Sequence, residues 1–173
     1  MFSETSTDNG KLNKAVFLDR DGTIIVDYGY INDPNKVDLL PGVIEAIDIL
    51  LKDGFLVFIV TNQSGVSRGM MTMEDVKTVN NKLLKLLGKD KIKDILICPH
   101  SPEDDCECRK PKTKLVDIAI KNHKISPIDS YSVGDKDSDK ELGDNFGGTG
   151  IKLGDNELKT LIDVAKHINK KRN

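Results

Sequence analysis

The sequence predicts an α/β fold, an open parallel sheet of Rossmann-like type flanked by helices, and three observations carry that prediction. Short apolar runs alternate with segments of helical periodicity along most of the chain. The most apolar run, Phe55 to Val60, is continuous, as a strand covered by helices on both faces requires. Residues able to do chemistry follow the strand-like runs directly, and in open α/β sheets ligands bind beyond the carboxyl ends of the strands.

Residues 1–13 are mostly polar and lack apolar periodicity, so they are expected to form a flexible tail before a single domain over 14–173. Lys14 to Asp19 is a short apolar run ending in a carboxylate, and it reads as the first strand. Pro41-Gly42 opens a helix from Val43 to Lys52, whose apolar positions 43, 44, 46, 47, 50 and 51 keep helical spacing. Gly54 stops it, and the central strand follows from Phe55 to Val60. Thr72 with Asp75 forms a capping-box pattern, and the helix it opens carries Val76, Val79, Leu83 and Leu86–Leu87 on one stripe until Gly88. Asp94 to Cys98 reads as a third strand, followed by a cysteine-bearing loop and a helix from Thr113 to His123. A fourth strand is predicted from Ser130 to Gly134 and a helix from Ser138 to Phe146. A short strand from Gly150 to Leu153 and an amphipathic helix from Asn156 to Asn169 complete the order. No internal repeat is present.

Composition narrows the class. A chain of 173 residues suits one domain with a full hydrophobic core, and hardly two. The apolar share, 38%, is too high for a disordered chain. The 26 Lys plus Arg against 28 Asp plus Glu give a net charge of −2, and with 5% aromatic residues this argues against general nucleic-acid binding. No apolar run approaches the roughly 18 residues a membrane span needs, and no hydrophobic segment near the N-terminus suggests a secretory signal. Three cysteines disfavour a disulfide scaffold. The expectation is a cytoplasmic, soluble monomer with no nucleic-acid or membrane partner.

Asp19-Arg20-Asp21-Gly22-Thr23 puts two carboxylates at i and i+2, which repel unless a cation sits between them or one holds a proton. Either condition suits phosphoryl transfer assisted by Mg²⁺, although the pair taken alone reads more readily as a loop cap after a strand. Asp135 to Asp139 adds acids beyond another strand. An EF-hand reading fails there, because Lys140 stands where glycine is needed and Phe146 where glutamate is needed. Asp135 is the better Mg²⁺ ligand, with Asp139 in support. Thr61 to Gly65 offers a hydroxyl, amides and backbone N–H groups that could hold a phosphate or form a plain polar turn. No Gly-rich nucleotide loop of the Walker or dinucleotide type is present.

Cys98, His100, Cys106 and Cys108 pair at i and i+2 on each arm and can close a tetrahedral Zn²⁺ site. With no open coordination position, such a site is structural. His123 and His167 have no cysteine near and are expected in solvent. Arg109-Lys110 follows the last zinc ligand and would aim two cations at the same sheet edge.

Together, Asp19-x-Asp21-Gly22-Thr23, Thr61, Lys110 and Gly134-Asp135 with Asp139 resemble the haloacid dehalogenase (HAD) superfamily of phosphatases over residues 14 to 153. The Cys/His loop followed by Arg-Lys-Pro resembles its zinc-containing group, which includes D-glycero-D-manno-heptose 1,7-bisphosphate phosphatases and histidinol-phosphate phosphatases. The resemblance implies that Asp19 is the nucleophile and forms an aspartyl-phosphate. Asp21 would protonate the leaving alcohol and deprotonate the hydrolytic water. Mg²⁺ would bind Asp19, Asp135 and the backbone carbonyl of Asp21. Thr61 and Lys110 would hold the transferring phosphate, with Lys136 and Asp139 in support, while Asn62, Arg68 and Arg109 contact the substrate.

Tyr28 to Ile31 and Thr61 to Gly69 look like the heptose enzymes, which remove the 7-phosphate. The five residues between His100 and Cys106 look more like the histidinol-phosphate enzymes. No large cap domain is expected, so residues 24–37, Ser67–Met71 and the zinc loop would form the rim. A phospho-receiver signalling domain, which also uses strand-end acids and a Lys, and a zinc-bearing nucleic-acid module are the rival classes.

Overall fold

The computed structural model describes residues 10–88 and 90–171. Its strands are β1 (Lys14–Leu18), β2 (Phe55–Asn62), β3 (Asp94–Cys98), β4 (Tyr131–Gly134) and β5 (Thr149–Lys152). They pair in the order β3-β2-β1-β4-β5, every pairing parallel. The helices are α1 (Val43–Lys52), α2 (Met73–Leu87), α3 (Lys114–Asn122), α4 (Asp137–Asn145) and α5 (Leu161–Lys170).

Alternation along the central strands divides the core. Val16, Leu18, Val57 and Ile59 face one layer with apolar residues of α1, α2 and α5, whereas Ala15, Phe17, Phe58 and Val60 face α3 and α4. Phe17 stacks on Phe58 with ring centroids 5.1 Å apart and meets Phe146 edge-on at 5.5 Å. The chain winds outward from β1 to β2 and β3, then returns to place β4 on the other side of β1. That reversal splays the loops after β1 and β4 apart and opens a crevice between them.

Several expectations shift in detail. The last helix starts at Leu161, not Asn156, because Thr160 and Asp163 close a capping box there; the preceding residues form a turn in which Leu158 accepts from Gly154 N–H. Leu86 does not belong to the buried stripe of α2, whose inward residues are Val76, Val79, Asn80, Leu83 and Leu87. His123 is not free in solvent: its ring packs against Phe58 with centroids 5.3 Å apart. Of the tail expected over 1–13, residues 1–9 lie outside the described residues, as do 172–173 at the other end of the expected domain. Asn13 at the tail's end bridges to Ile125. Residues 24–40 fold back over the crevice through an antiparallel bridge of Ile25 with Leu39. The described residues contain no cap domain, and none of their helices is long and apolar enough to cross a membrane.

Candidate active site

The crevice collects its acids from two adjacent strand ends. Asp19 directly follows β1, and its N–H donates to Val133 of β4 at 2.9 Å, so the two loops leave the sheet side by side. Gly22 adopts φ +84°, and a Cβ there would collide with the Asp135 carboxylate; glycine lets the β1 loop close onto Asp135. Gly134 likewise leaves room for Asp139, in the first turn of α4, whose Oδ2 accepts from the Lys136 N–H at 3.1 Å.

Lys110 enters from the loop after β3 and is only 5% exposed. Its ammonium donates to Asp19 Oδ1 at 2.6 Å, to Asp139 Oδ1 at 2.6 Å and to the Val60 carbonyl at 2.7 Å. Three donors meet three acceptors, as a buried ammonium requires. Asn62, expected on the substrate, clamps the lysine's backbone: its Oδ1 accepts from Lys110 N–H at 3.1 Å and its Nδ2 donates to Lys110 C=O at 3.3 Å.

Burial works against the Lys110 charge, but Asp19 and Asp139 outweigh it and hold the ammonium above the ordinary lysine range. Asp19 shares that one cation with another acid. Burial therefore prevails at Asp19, helped by Asp139 and Asp21, and lifts its carboxyl from 3.8 to about 7. Burial also raises Asp135. Lys136 is raised because Asp19, Asp135, Asp27 and Asp139 outweigh its desolvation.

Asp21 takes a different set of partners. Arg20 Nε donates to its Oδ2 at 3.0 Å and Nη2 to its Oδ1 at 3.1 Å, while Gln63 Nε2 donates to Oδ2 at 2.9 Å. The Thr61 hydroxyl lies 3.4 Å from the same Oδ2 and accepts from Gln63 at 2.6 Å. Sequence reasoning missed Arg20 and Asn80, which accepts from Arg20, and read the Gln63 amide as a phosphate contact rather than a partner of Asp21. The available signal was an arginine between two acids at a strand end, a place where it can be buried only if paired.

Asp19, Asp21, Asn62, Arg109, Lys110 and Lys136 line one cleft of about 330 Å³, with Tyr30 and Ser64 at its wall. Thr61 is buried and is not among the residues that line it. Arg68 does not line the cleft: it pairs with Glu103 at 3.1 Å on the exposed face of the cysteine loop.

The donor sets fit the two expected metals. Carboxylate oxygens of Asp19, Asp135 and Asp139 lie within 4.8 Å of one another, and Asp135 Oδ1 is buried with no hydrogen-bond partner. An orphaned carboxylate oxygen among hard donors fits Mg²⁺. Asp139 already spends both oxygens on Lys110 and Lys136, which leaves Asp19 and Asp135 as the available ligands.

In the loop after β3, the Cys98, Cys106 and Cys108 sulfurs are 3.3 to 3.6 Å apart, and His100 Nδ1 lies 3.2 Å from Cys108 and 3.8 Å from Cys98. Tetrahedral Zn–S bonds of about 2.3 Å set donors roughly 3.8 Å apart, so the cluster is sized for zinc. Burial opposes ionisation of Cys106, yet hydrogen bonds from Cys108, Cys98 and Arg109 outweigh it and bring the thiol down to about 7. Arg109, next to Cys108, donates to the His100 carbonyl at 3.0 Å. The cluster thereby fixes the stretch that carries Arg109 and Lys110 into the cleft.

The chain is similar to known proteins over most of its length. The family described as polynucleotide kinase 3 phosphatase matches residues 14–160. The chain is 39% identical over 140 residues to the D-glycero-beta-D-manno-heptose-1,7-bisphosphate 7-phosphatase of Haemophilus influenzae, covering 76% of each. It is 38% identical over 140 residues to the histidine biosynthesis bifunctional protein HisB of Legionella pneumophila, covering 79% of this chain and 40% of that one. The crystal structure of D,D-heptose 1.7-bisphosphate phosphatase from B. bronchiseptica, complexed with magnesium and phosphate, superposes with a TM-score of 0.81 at 25% identity, covering 91% of this chain and 99% of the other. With sheet, acids and family match in agreement, the chain belongs to the HAD-type phosphatases, which are phosphoric monoester hydrolases.

Proposed function

We propose that this chain is a single-domain, Mg²⁺-dependent phosphatase that removes the 7-phosphate of D-glycero-D-manno-heptose 1,7-bisphosphate through a phosphoryl group carried on Asp19. The observation that carries the reading is the Lys110 ammonium held between Asp19 and Asp139, beside the unpartnered Asp135 oxygen. Bound by Asp19, Asp135 and the Asp21 carbonyl, Mg²⁺ would offset phosphate charge and favour the ionised form of Asp19.

An Asp19 oxygen forms the bond to phosphorus as the bond to the leaving oxygen breaks, and Asp21 supplies the proton that oxygen needs. Water then attacks phosphorus, Asp21 takes its proton, and Asp19 and phosphate are released. Lys110 and the Thr61 hydroxyl neutralise and hold the equatorial oxygens. Asp139 keeps Lys110 aimed, and Asn62 fixes its backbone. Lys136 and Arg109 extend positive charge along the cleft, Arg109 toward the part of the substrate that is not transferred. Zn²⁺ at Cys98, His100, Cys106 and Cys108 would lock that stretch in place. We take the enzyme to act as a monomer in the cytoplasm.

The names of the relatives favour the heptose substrate. The HisB relatives and the five-residue spacing from His100 to Cys106 favour histidinol phosphate as the second reading. Measuring kcat/KM on both, with a 3′-phosphorylated oligonucleotide alongside, separates them. A preference for histidinol phosphate of about 10²-fold or more, worth roughly 2.7 kcal/mol of transition-state binding, replaces the first choice.

A further inference from the structure

We propose that Arg20, anchored by Asn80 of α2, is the positioning residue for the Asp21 carboxyl and fixes the oxygen that exchanges a proton with the leaving group. The inference rests on the reading of Asp21 as proton donor and acceptor. Arg20 is fully buried, at 0% exposure, and heads the largest fully buried side chains of the protein. It grips both oxygens of the carboxyl beside it and sends its remaining arm, Nη1, to Asn80 Oδ1 at 2.8 Å. The planar fork of a guanidinium matches the two oxygens of one carboxylate while leaving an arm for the third contact.

The two Asp21 oxygens are not equivalent. Oδ2 meets Arg20, Gln63 and the Thr61 hydroxyl, whereas Oδ1 meets Arg20 alone. Oδ1 is therefore the atom with room for another partner, and the geometry assigns proton transfer to it. In that step the P–O bond breaks with its electron pair left on the substrate oxygen, and the Oδ1–H proton moves to that oxygen. In the return step Oδ1 takes a proton from the attacking water.

Asn80 supplies the second line of argument. It is 5% exposed on the stripe of α2 otherwise occupied by Val76, Val79 and Leu83, a position where an apolar residue would pack more cheaply. Its Nδ2 has no partner among the described residues, so the Arg20 contact through Oδ1 is the bond its side chain makes in the core. A carboxyl displaced by even about 1 Å can cost on the order of 10²-fold in rate.

The test compares kcat/KM, which reports phosphoryl transfer to Asp19 and not the hydrolysis step that all substrates share, for benzyl phosphate, whose leaving alkoxide must be protonated, and for 4-nitrophenyl phosphate, whose phenolate leaves unaided. General acid catalysis contributes about 10²-fold or more, so Arg20→Met should lower kcat/KM on benzyl phosphate by about that factor and on 4-nitrophenyl phosphate by about threefold at most. Asn80→Leu, which fits the apolar stripe and guards against an unfolded Arg20 variant, should show the same selectivity at about tenfold, and Asn80→Asp, which keeps the acceptor, should restore the ratio. Equal losses on the two substrates in Arg20→Met and Asn80→Leu would mean a merely structural role and overturn the proposal. Asp21→Asn runs in parallel. Selective loss there alone removes only the Arg20 assignment; equal loss there removes the proton-transfer role of Asp21 as well.

Discussion

Lys110 shows how much one side chain decides. It satisfies two buried carboxylates and a strand carbonyl at once, and its own backbone is held by Asn62. Lys110→Met removes the cation proposed to meet the transferring phosphate and leaves Asp19 and Asp139 facing each other. We expect kcat to fall by about 10³-fold, and thermal unfolding should register a loss of about 3–5 kcal/mol, as breaking a buried ion pair does. Asn62→Ala keeps the ammonium but frees its backbone, so steady-state assays should find a smaller fall in kcat, about tenfold, than for Lys110→Met. Asp19, Asp21, Asp135 and Asp139 were legible in the sequence because each lies just past a strand-like run, and Lys110 because it follows the last candidate zinc ligand. The present partners of Arg68 and Asn62 were not legible: a residue's type announces its charge or amide, but not that Glu103 pairs with the one or that the Lys110 backbone binds the other.

Among the elements, the cysteine loop and α5 teach opposite lessons. The spacing of Cys98, His100, Cys106 and Cys108 predicted a metal cluster, and the four donor atoms do converge. Because Arg109 and Lys110 continue directly from Cys108, Cys108→Ser or removal of zinc by a chelator should loosen the far wall of the cleft. We expect at least about tenfold lower kcat/KM together with a lower melting temperature, and retention of both after verified zinc loss would refute the coupling. In α5 the start was misplaced, since the apolar pattern runs through Leu158 while hydrogen bonding begins only at Thr160. Thr160→Ala should cost about 1 kcal/mol by denaturant melting, and Glu157→Ala, before the observed start, should cost none of it.

At the scale of the whole molecule, the topology gathers acids that repel one another without a cation. Asp19 ionises near 3.8 in an unfolded chain and at about 7 in the folded, metal-free protein. Between those values the folded state holds a proton that the unfolded chain has released, so this group's stabilisation is complete below pH 4 and is lost as pH rises through 7. On the proposed reading Mg²⁺ would bind the ionised form and reverse that loss. The rise in melting temperature on adding Mg²⁺ should therefore grow from pH 5 to pH 8, by roughly 2–4 °C for each kcal/mol regained. An increment that stays flat over that range would show that Asp19 is not a metal ligand. Asp19→Asn, which cannot ionise, should flatten the pH dependence and abolish turnover.

What the sequence determined alone was everything that local pattern carries. Apolar runs and helical stripes set the order of strands and helices, and strand-end placement marked Asp19, Thr61 and Asp135. Only the tertiary structure decided the strand order and, through it, which loops face the crevice between β1 and β4. It also decided the partners: Lys110 reaching Asp19 across 91 positions of sequence, and Arg20 reaching Asn80 across 60. Periodicity is a property of neighbours along the chain, whereas a buried charge must find its counter-charge in space. The net charge of −2 carries no trace of the acids and lysines that the fold sets face to face.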